Sequence, residues 1–118
     1  MALLNLEQLR AVPALETRDV DVPELGGTVR VRAWTGADRD EWNHLCLKRP
    51  KDGDGDPRGI RAAAIVVSLV DEDGKRLLSA KDVAIVDEWA DAAVETVWNV
   101  VRETNRIGNQ AVEEAEKN

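Results

Sequence analysis

Between Arg18 and Ala33 the apolar residues fall on every second position: Val20 and Val22 in one segment, then Val29, Val31 and Ala33 in the next. A period of two puts one face of each segment in a core and the other in water, so the pattern predicts a β-hairpin over residues 18–33. Pro23 cannot donate to a ladder, and Gly26 and Gly27 accept the positive φ that a reversal requires. Pairing Val22 with Val29 sets Asp21 opposite Arg30 and Asp19 opposite Arg32. Each such exposed pair is worth ~0.2–1 kcal/mol, and a slipped register loses it.

After the hairpin the spacing changes to three and four. Thr35 with Asp38 marks a helix N-terminus, and Asp38, Asp40 and Glu41 place negative charge where the helix dipole favours it. This helix is expected over about 35–48, ending before Pro50. The following KDGDGD is a loop by composition, and Pro57 suits the first turn of a helix over about 58–69, where Ile60, Ala63, Ala64 and Val67 share a face. The β-branched run Ile65 to Val67 is also compatible with a strand. DEDGK reads as a turn, and Ser79 with Asp82 caps a short helix over about 80–86.

A long helix is predicted over about 88–106, with Ala90, Ala93, Val94, Val97, Trp98 and Val101 as its core stripe and Gly108 as its stop. Ahead of the hairpin, Asn5 and Gln8 form a capping box for a helix that ends at Pro13, with Leu6, Leu9 and Val12 on one face. Residues 109–118 read as an acidic tail. The expected architecture is α+β: one mainly α-helical domain over residues 1–118 with an N-terminal β-hairpin.

At 118 residues, such a domain buries roughly two-thirds of the surface its unfolded chain exposes. With four tryptophans and no phenylalanine or tyrosine, the core must be largely aliphatic. The 23 acidic side chains outnumber 16 basic ones, which disfavours nucleic acid and anionic membranes as partners. The longest apolar run, Ala62 to Val67, is far short of the ~20 residues of a membrane span. The opening MALLNLEQLR has no basic leader before a long apolar stretch, so a soluble, untargeted chain is expected. The lone Cys46 permits no internal disulfide and fits a reducing cytoplasm.

The residues suited to chemistry do not combine. Asp52, Asp54 and Asp56 resemble the start of a calcium loop, but its sixth and twelfth positions are Pro57 and Ala63 rather than glycine and glutamate. His44 and Cys46, two apart on a helix, point about 200° apart and do not form a base–nucleophile pair. The carboxylates are numerous, yet nothing marks any two as convergent. No catalytic, cofactor or metal residue is assigned, and no cofactor is expected. The candidates for partner contact are Trp34, Trp42, Trp89 and Trp98, each of which also suits core packing. On one helix, Trp89 and Trp98 would lie on opposite sides.

VPELGGTVRVR from Val22, TGADRDEW from Thr35, GIRA from Gly59, VDEDGK from Val70 and VEEAEKN from Val112 occur in an order and spacing that resemble the tail assembly chaperones of long-tailed bacteriophages and prophages. The resemblance spans most of the chain. It implies a non-enzymatic protein of the host bacterial cytoplasm, absent from the mature virion, that binds the tape measure protein and recruits tail tube subunits. It also implies a longer frameshifted product, for which codons of Glu116, Lys117 and Asn118 would supply an A-rich slippery run.

Amphipathic helices with a net charge of −7 suit the holding of an apolar partner in solution. Self-association, if present, is expected through the helix over 88–106 or the hairpin edge. The alternative reading is an acidic inhibitor that imitates DNA, which requires carboxylates arrayed along one face. A metal-dependent enzyme is the third and would carry a bound ion.

Overall fold

The computed structural model describes residues 2–11, 13–48 and 59–107. The architecture is α+β: helices α1 (Leu6–Arg10), α2 (Gly36–Lys48), α3 (Ile60–Ser68), α4 (Val83–Asp87) and α5 (Asp91–Asn105), with strands β1 (Thr17–Val22), β2 (Gly27–Arg32) and β3 (Leu69–Val70). The strands form one antiparallel sheet in the order β1-β2-β3. Asp52, Asp54, Asp56, Gly108 and the tail over 109–118 lie outside the described residues.

The hairpin pairs two residues away from the expected register. Val20 lies opposite Val29, Asp19 opposite Arg30 and Val22 opposite Gly27, correcting the pairing of Val22 with Val29. A slip of two keeps every side chain on its face, so alternation cannot choose between the registers; the turn does. Pro23–Leu25 forms a 3₁₀ turn that Gly26 closes at φ 77°, while Gly27 already belongs to β2. Asp19 therefore meets Arg30 at 2.7 Å, and Asp21 accepts a hydrogen bond from the Thr28 hydroxyl at 2.8 Å. Arg32 is left for another partner.

Helix α3 is the centre of the molecule. Every residue from Ala62 to Ser68 is buried, which is why the sequence shows no polar face there. It packs on α2, α4 and α5, and α5 in turn packs on β1 and β2. Ala93, Val94, Val97 and Val101 of α5 meet Val20, Val22 and Val31 of the sheet in the same core. Full burial of such aliphatic side chains contributes about 1.5–3 kcal/mol each.

The third strand follows α3 without a break: Leu69, at φ −76° and ψ 130°, pairs with Val31, and Val70 pairs with Arg30. This corrects the helix expected to Leu69. The chain then reverses through Gly74 at φ 81°, with Asp71 Oδ1 accepting the Asp73 and Lys75 N–H groups.

Three further differences concern helix ends and burial. α5 begins at Asp91, because Ala90 is extended at ψ 143° and serves as the N-cap; Ala90 is exposed and not part of the stripe. It ends in a Schellman arrangement, with the Ile107 N–H donating to the Arg102 carbonyl and Arg106, not a glycine, at φ 57°. The capping box of α1 is present, with both Asn5–Gln8 hydrogen bonds at 2.9 Å, yet α1 buries nothing. Leu6 and Leu9 are each 61% exposed.

Candidate functional site

Two of the four tryptophans form one corner. Trp34 follows β2, and Thr35 then caps α2: the Asp38 N–H donates to Thr35 Oγ1, and the Thr35 N–H donates to Asp38 Oδ2, both at 3.0 Å. This start brings Trp42 beside Trp34, with ring centroids 5.2 Å apart and planes tilted by 44°. The Trp34 indole N–H donates to Ser68 Oγ at 2.7 Å, and that of Trp42 donates to the Ile60 carbonyl at 3.0 Å. Ile60 and Ser68 are the first and last residues of α3, so the two indoles clamp its two ends. The Arg39 guanidinium lies over both rings, 5.2 Å from Trp42 and 6.0 Å from Trp34. The Trp34 backbone N–H donates to Asn105 Oδ1 at the end of α5. This corner is occupied by the fold's own contacts.

Next to it, Asp38 is buried and accepts from Arg32 at 3.1 Å, while Arg76 bonds both Glu41 oxygens at 3.0 and 3.2 Å and stands 3.7 Å from Asp38. Two guanidinium groups thus face two carboxylates, and Arg32 also donates to the Gly74 carbonyl. The network joins β2, α2 and the turn after β3. The expected partner of Arg32, Asp19, is replaced by Asp38.

Trp89 has a different setting. It sits between α4 and α5, outside any helix, which removes the basis for placing it opposite Trp98 on one helix. Its N–H main-chain group donates to the Val86 carbonyl, but among the described residues its indole N–H has no hydrogen-bond partner. The ring is half-buried and lines a groove of about 600 Å³ with Ile60, Val86 and Val94 as apolar neighbours and Arg61, Asp87 and Asp91 at the rim. Arg61 donates to Asp91 and Glu95, each at 2.8 Å, and these bonds, that to Asp91 foremost, raise its pKa above the ordinary value. Trp98, half-buried on α5, likewise donates no indole hydrogen bond among the described residues, but the Arg102 guanidinium lies 5.8 Å above its ring.

The remaining candidates stay apart. His44 is exposed on α2, and Cys46 is half-buried against the core. Among the described residues no three His, Cys, Asp or Glu side chains converge as a metal site would require. Among them, too, no helix is long and apolar enough to cross a membrane. Leu3, Leu4, Leu6 and Leu9 are all exposed near the N-terminus. Of the groove, the tryptophan alone was singled out from sequence. Arg61, Asp87 and Asp91 carry no pattern that joins them, because the groove exists only where α3, α4 and α5 meet.

No protein-family model matches the chain, and no curated protein matches it in sequence. Among solved structures it is similar to the tail assembly chaperone of bacteriophage HK97, with a TM-score of 0.55 and 18% identity over 81% of this chain and 89% of that one. At this identity the likeness is one of fold.

Proposed function

We propose that this chain is a phage tail assembly chaperone: a non-enzymatic protein that binds the tape measure protein and recruits tail tube subunits in the host cytoplasm, without entering the virion. The observation that carries the reading is the fold shared with the HK97 chaperone over most of both chains. Surface physics supports it. A holdase needs apolar contact area for reversible affinity and net charge to keep the complex dissolved. This chain combines exposed leucines at its N-terminus with a net charge of −7.

The DNA-mimic reading is disfavoured by ion pairing: Asp19, Asp38, Glu41, Asp91 and Glu95 all face arginines, which interrupts any phosphate-like array. The test is co-expression with the tail tube and tape measure proteins encoded beside it, followed by size-exclusion chromatography with light scattering. The reading predicts a soluble complex that forms only with this chain. A tape measure protein that aggregates equally in its presence and absence refutes it.

A further inference from the structure

We infer that the open edge of β1 takes up an extended segment of another chain, with lysine or arginine at alternate positions and apolar residues between them. The inference goes beyond the chaperone reading and does not depend on it. The Ala33 N–H donates to the Glu16 carbonyl at 2.8 Å. Glu16 and Ala33 are therefore a hydrogen-bonded pair, and the ladder bonds of the hairpin recur at Arg18, Val20 and Val22. The main-chain groups of the residues between them, Thr17, Asp19 and Asp21, point away from β2. Among the described residues no strand lies on that side, and all three residues are exposed.

The opposite edge of the sheet is different. Beyond β3 the chain returns, with the Leu77 N–H donating to the Leu69 carbonyl and Arg76 bridged to Val70. Strand β1 also keeps one register from Thr17 to Val22, with neither the bulge nor the proline that blunts an edge.

Charge sets the occupant. Alternation puts Thr17, Asp19 and Asp21 on the outer face of the sheet, and Arg18, Val20 and Val22 on the side packed against α5. The outer face of β1 is thus acidic with no cation of its own. Asp19 is answered by Arg30 across the hairpin, whereas Asp21 accepts from the Thr28 hydroxyl and forms no ion pair among the described residues. An added strand sets its outer residues beside these carboxylates and its inner ones beside Val20 and Val22. The first positions favour lysine or arginine, and the second favour apolar side chains.

The same aspartates turn away a second copy. Pairing β1 with itself about a two-fold axis sets Asp19 opposite Asp19, Asp19 opposite Asp21, or Asp21 opposite Asp21 as the axis passes Asp19, Val20 or Asp21. With the axis at Arg18, Arg18 faces Arg18. Like charges directly opposite destabilise a sheet, so the edge rejects its own kind and accepts a strand of opposite sign.

The test uses the full chain and peptides of about ten residues. One alternates lysine with valine, its twin alternates glutamate with valine, and a third is the lysine peptide with a central proline, which keeps the charge but breaks the strand. Binding is read by titration calorimetry and by residue-resolved amide exchange. The expected result is that the lysine peptide binds and slows exchange at Thr17, Asp19 and Asp21 by about tenfold or more, the amides of Arg18, Val20 and Val22 being slow already. The glutamate twin and the proline peptide are expected to bind at least about tenfold more weakly. Asp21→Asn and Asp21→Pro both remove the charge, and only the second removes an edge N–H; Asp21→Pro is expected to weaken the lysine peptide about fivefold beyond Asp21→Asn. Circular dichroism establishes that both variants fold, and the wild-type exchange pattern decides the matter without them.

No binding of the lysine peptide, or exchange slowed elsewhere but not at Thr17, Asp19 and Asp21, overturns the inference. Equal binding of the glutamate twin or of the proline peptide does so too, as does a folded Asp21→Pro that binds like Asp21→Asn. Edge amides that slow as the concentration of the chain alone rises assign the edge to a second copy instead. A chain that takes the lysine peptide at this edge yet leaves the tape measure protein insoluble upholds the inference and sinks the chaperone reading.

Discussion

The corner built by Trp34 and Trp42 and the groove around Trp89 meet at Ile60, whose carbonyl accepts from Trp42 and which also lines the groove. At the corner each indole N–H is used, the rings meet at a 44° tilt with Arg39 over both, and the result fixes where α3 begins and ends. At the groove the ring leans on the core while its indole N–H finds no partner among the described residues, and Arg61, Asp87 and Asp91 share the lining. The same residue type spends its polar edge on the fold at Trp34 and Trp42 and, among the described residues, does not at Trp89 and Trp98. That distinction is invisible in residue identity and plain in the hydrogen bonds.

Substitutions at the two places should therefore differ in their cost to stability. The largest effect is expected at the corner. Trp34→Ala removes a ring from the core edge and its bond to the buried Ser68 hydroxyl, and should cost about 3–5 kcal/mol in chemical denaturation. Next is Asp38→Ala, which leaves Arg32 and Arg76 facing each other without their shared carboxylate. Because both guanidinium groups keep about a fifth of their surface exposed, the expected loss is about 2 kcal/mol, below that of a fully buried pair. Trp89→Ala should cost less than Trp34→Ala, about 1–2 kcal/mol, since only part of its ring leaves the core. A larger stability loss at Trp89 than at Trp34 would reverse the assignment of roles.

A smaller change of opposite sign tests the end of α5. Arg106 holds φ 57°, a conformation that costs a side-chain-bearing residue about 1–2 kcal/mol. Arg106→Gly should raise stability by about 1 kcal/mol, and a fall would mean that the Arg106 side chain contributes more than its backbone costs. The smallest effect is at the hairpin. The hydrogen bond from Arg30 holds the Asp19 carboxyl below its ordinary value of 3.8. This contribution to stability is present above the ordinary carboxylate range and is lost as pH falls through the lowered folded value. An NMR titration of Asp19 should move up to the ordinary range in Arg30→Gln. An unchanged midpoint would restore the alternative register, in which Asp19 faces Arg32.

Much of the fold is legible from periodicity. Val20, Val22, Val29 and Val31 mark the buried face of the hairpin, and the Thr35–Asp38 and Asn5–Gln8 pairs mark helix starts, because capping chemistry is local. What is not legible is what depends on distant chain. The register shifted by two because both registers satisfy the same alternation, and β3 was hidden because Leu69 and Val70 continue an apolar run whose direction changes only where β2 is waiting. The apolar face of α1 shows only that something apolar can cover it, and Leu6 and Leu9 stay 61% exposed. For the candidate site, Trp89 was visible as a residue but not as distinct from Trp34, since the difference lies in Ser68, Ile60 and Asp91, which the fold brings in from three helices.

The most direct test is hydrogen–deuterium exchange on the chain alone and in complex with the tape measure protein. The account predicts a soluble complex in which part of the described chain exchanges more slowly than in the free chain. Exchange unchanged throughout, or the absence of any soluble complex to measure, would contradict it.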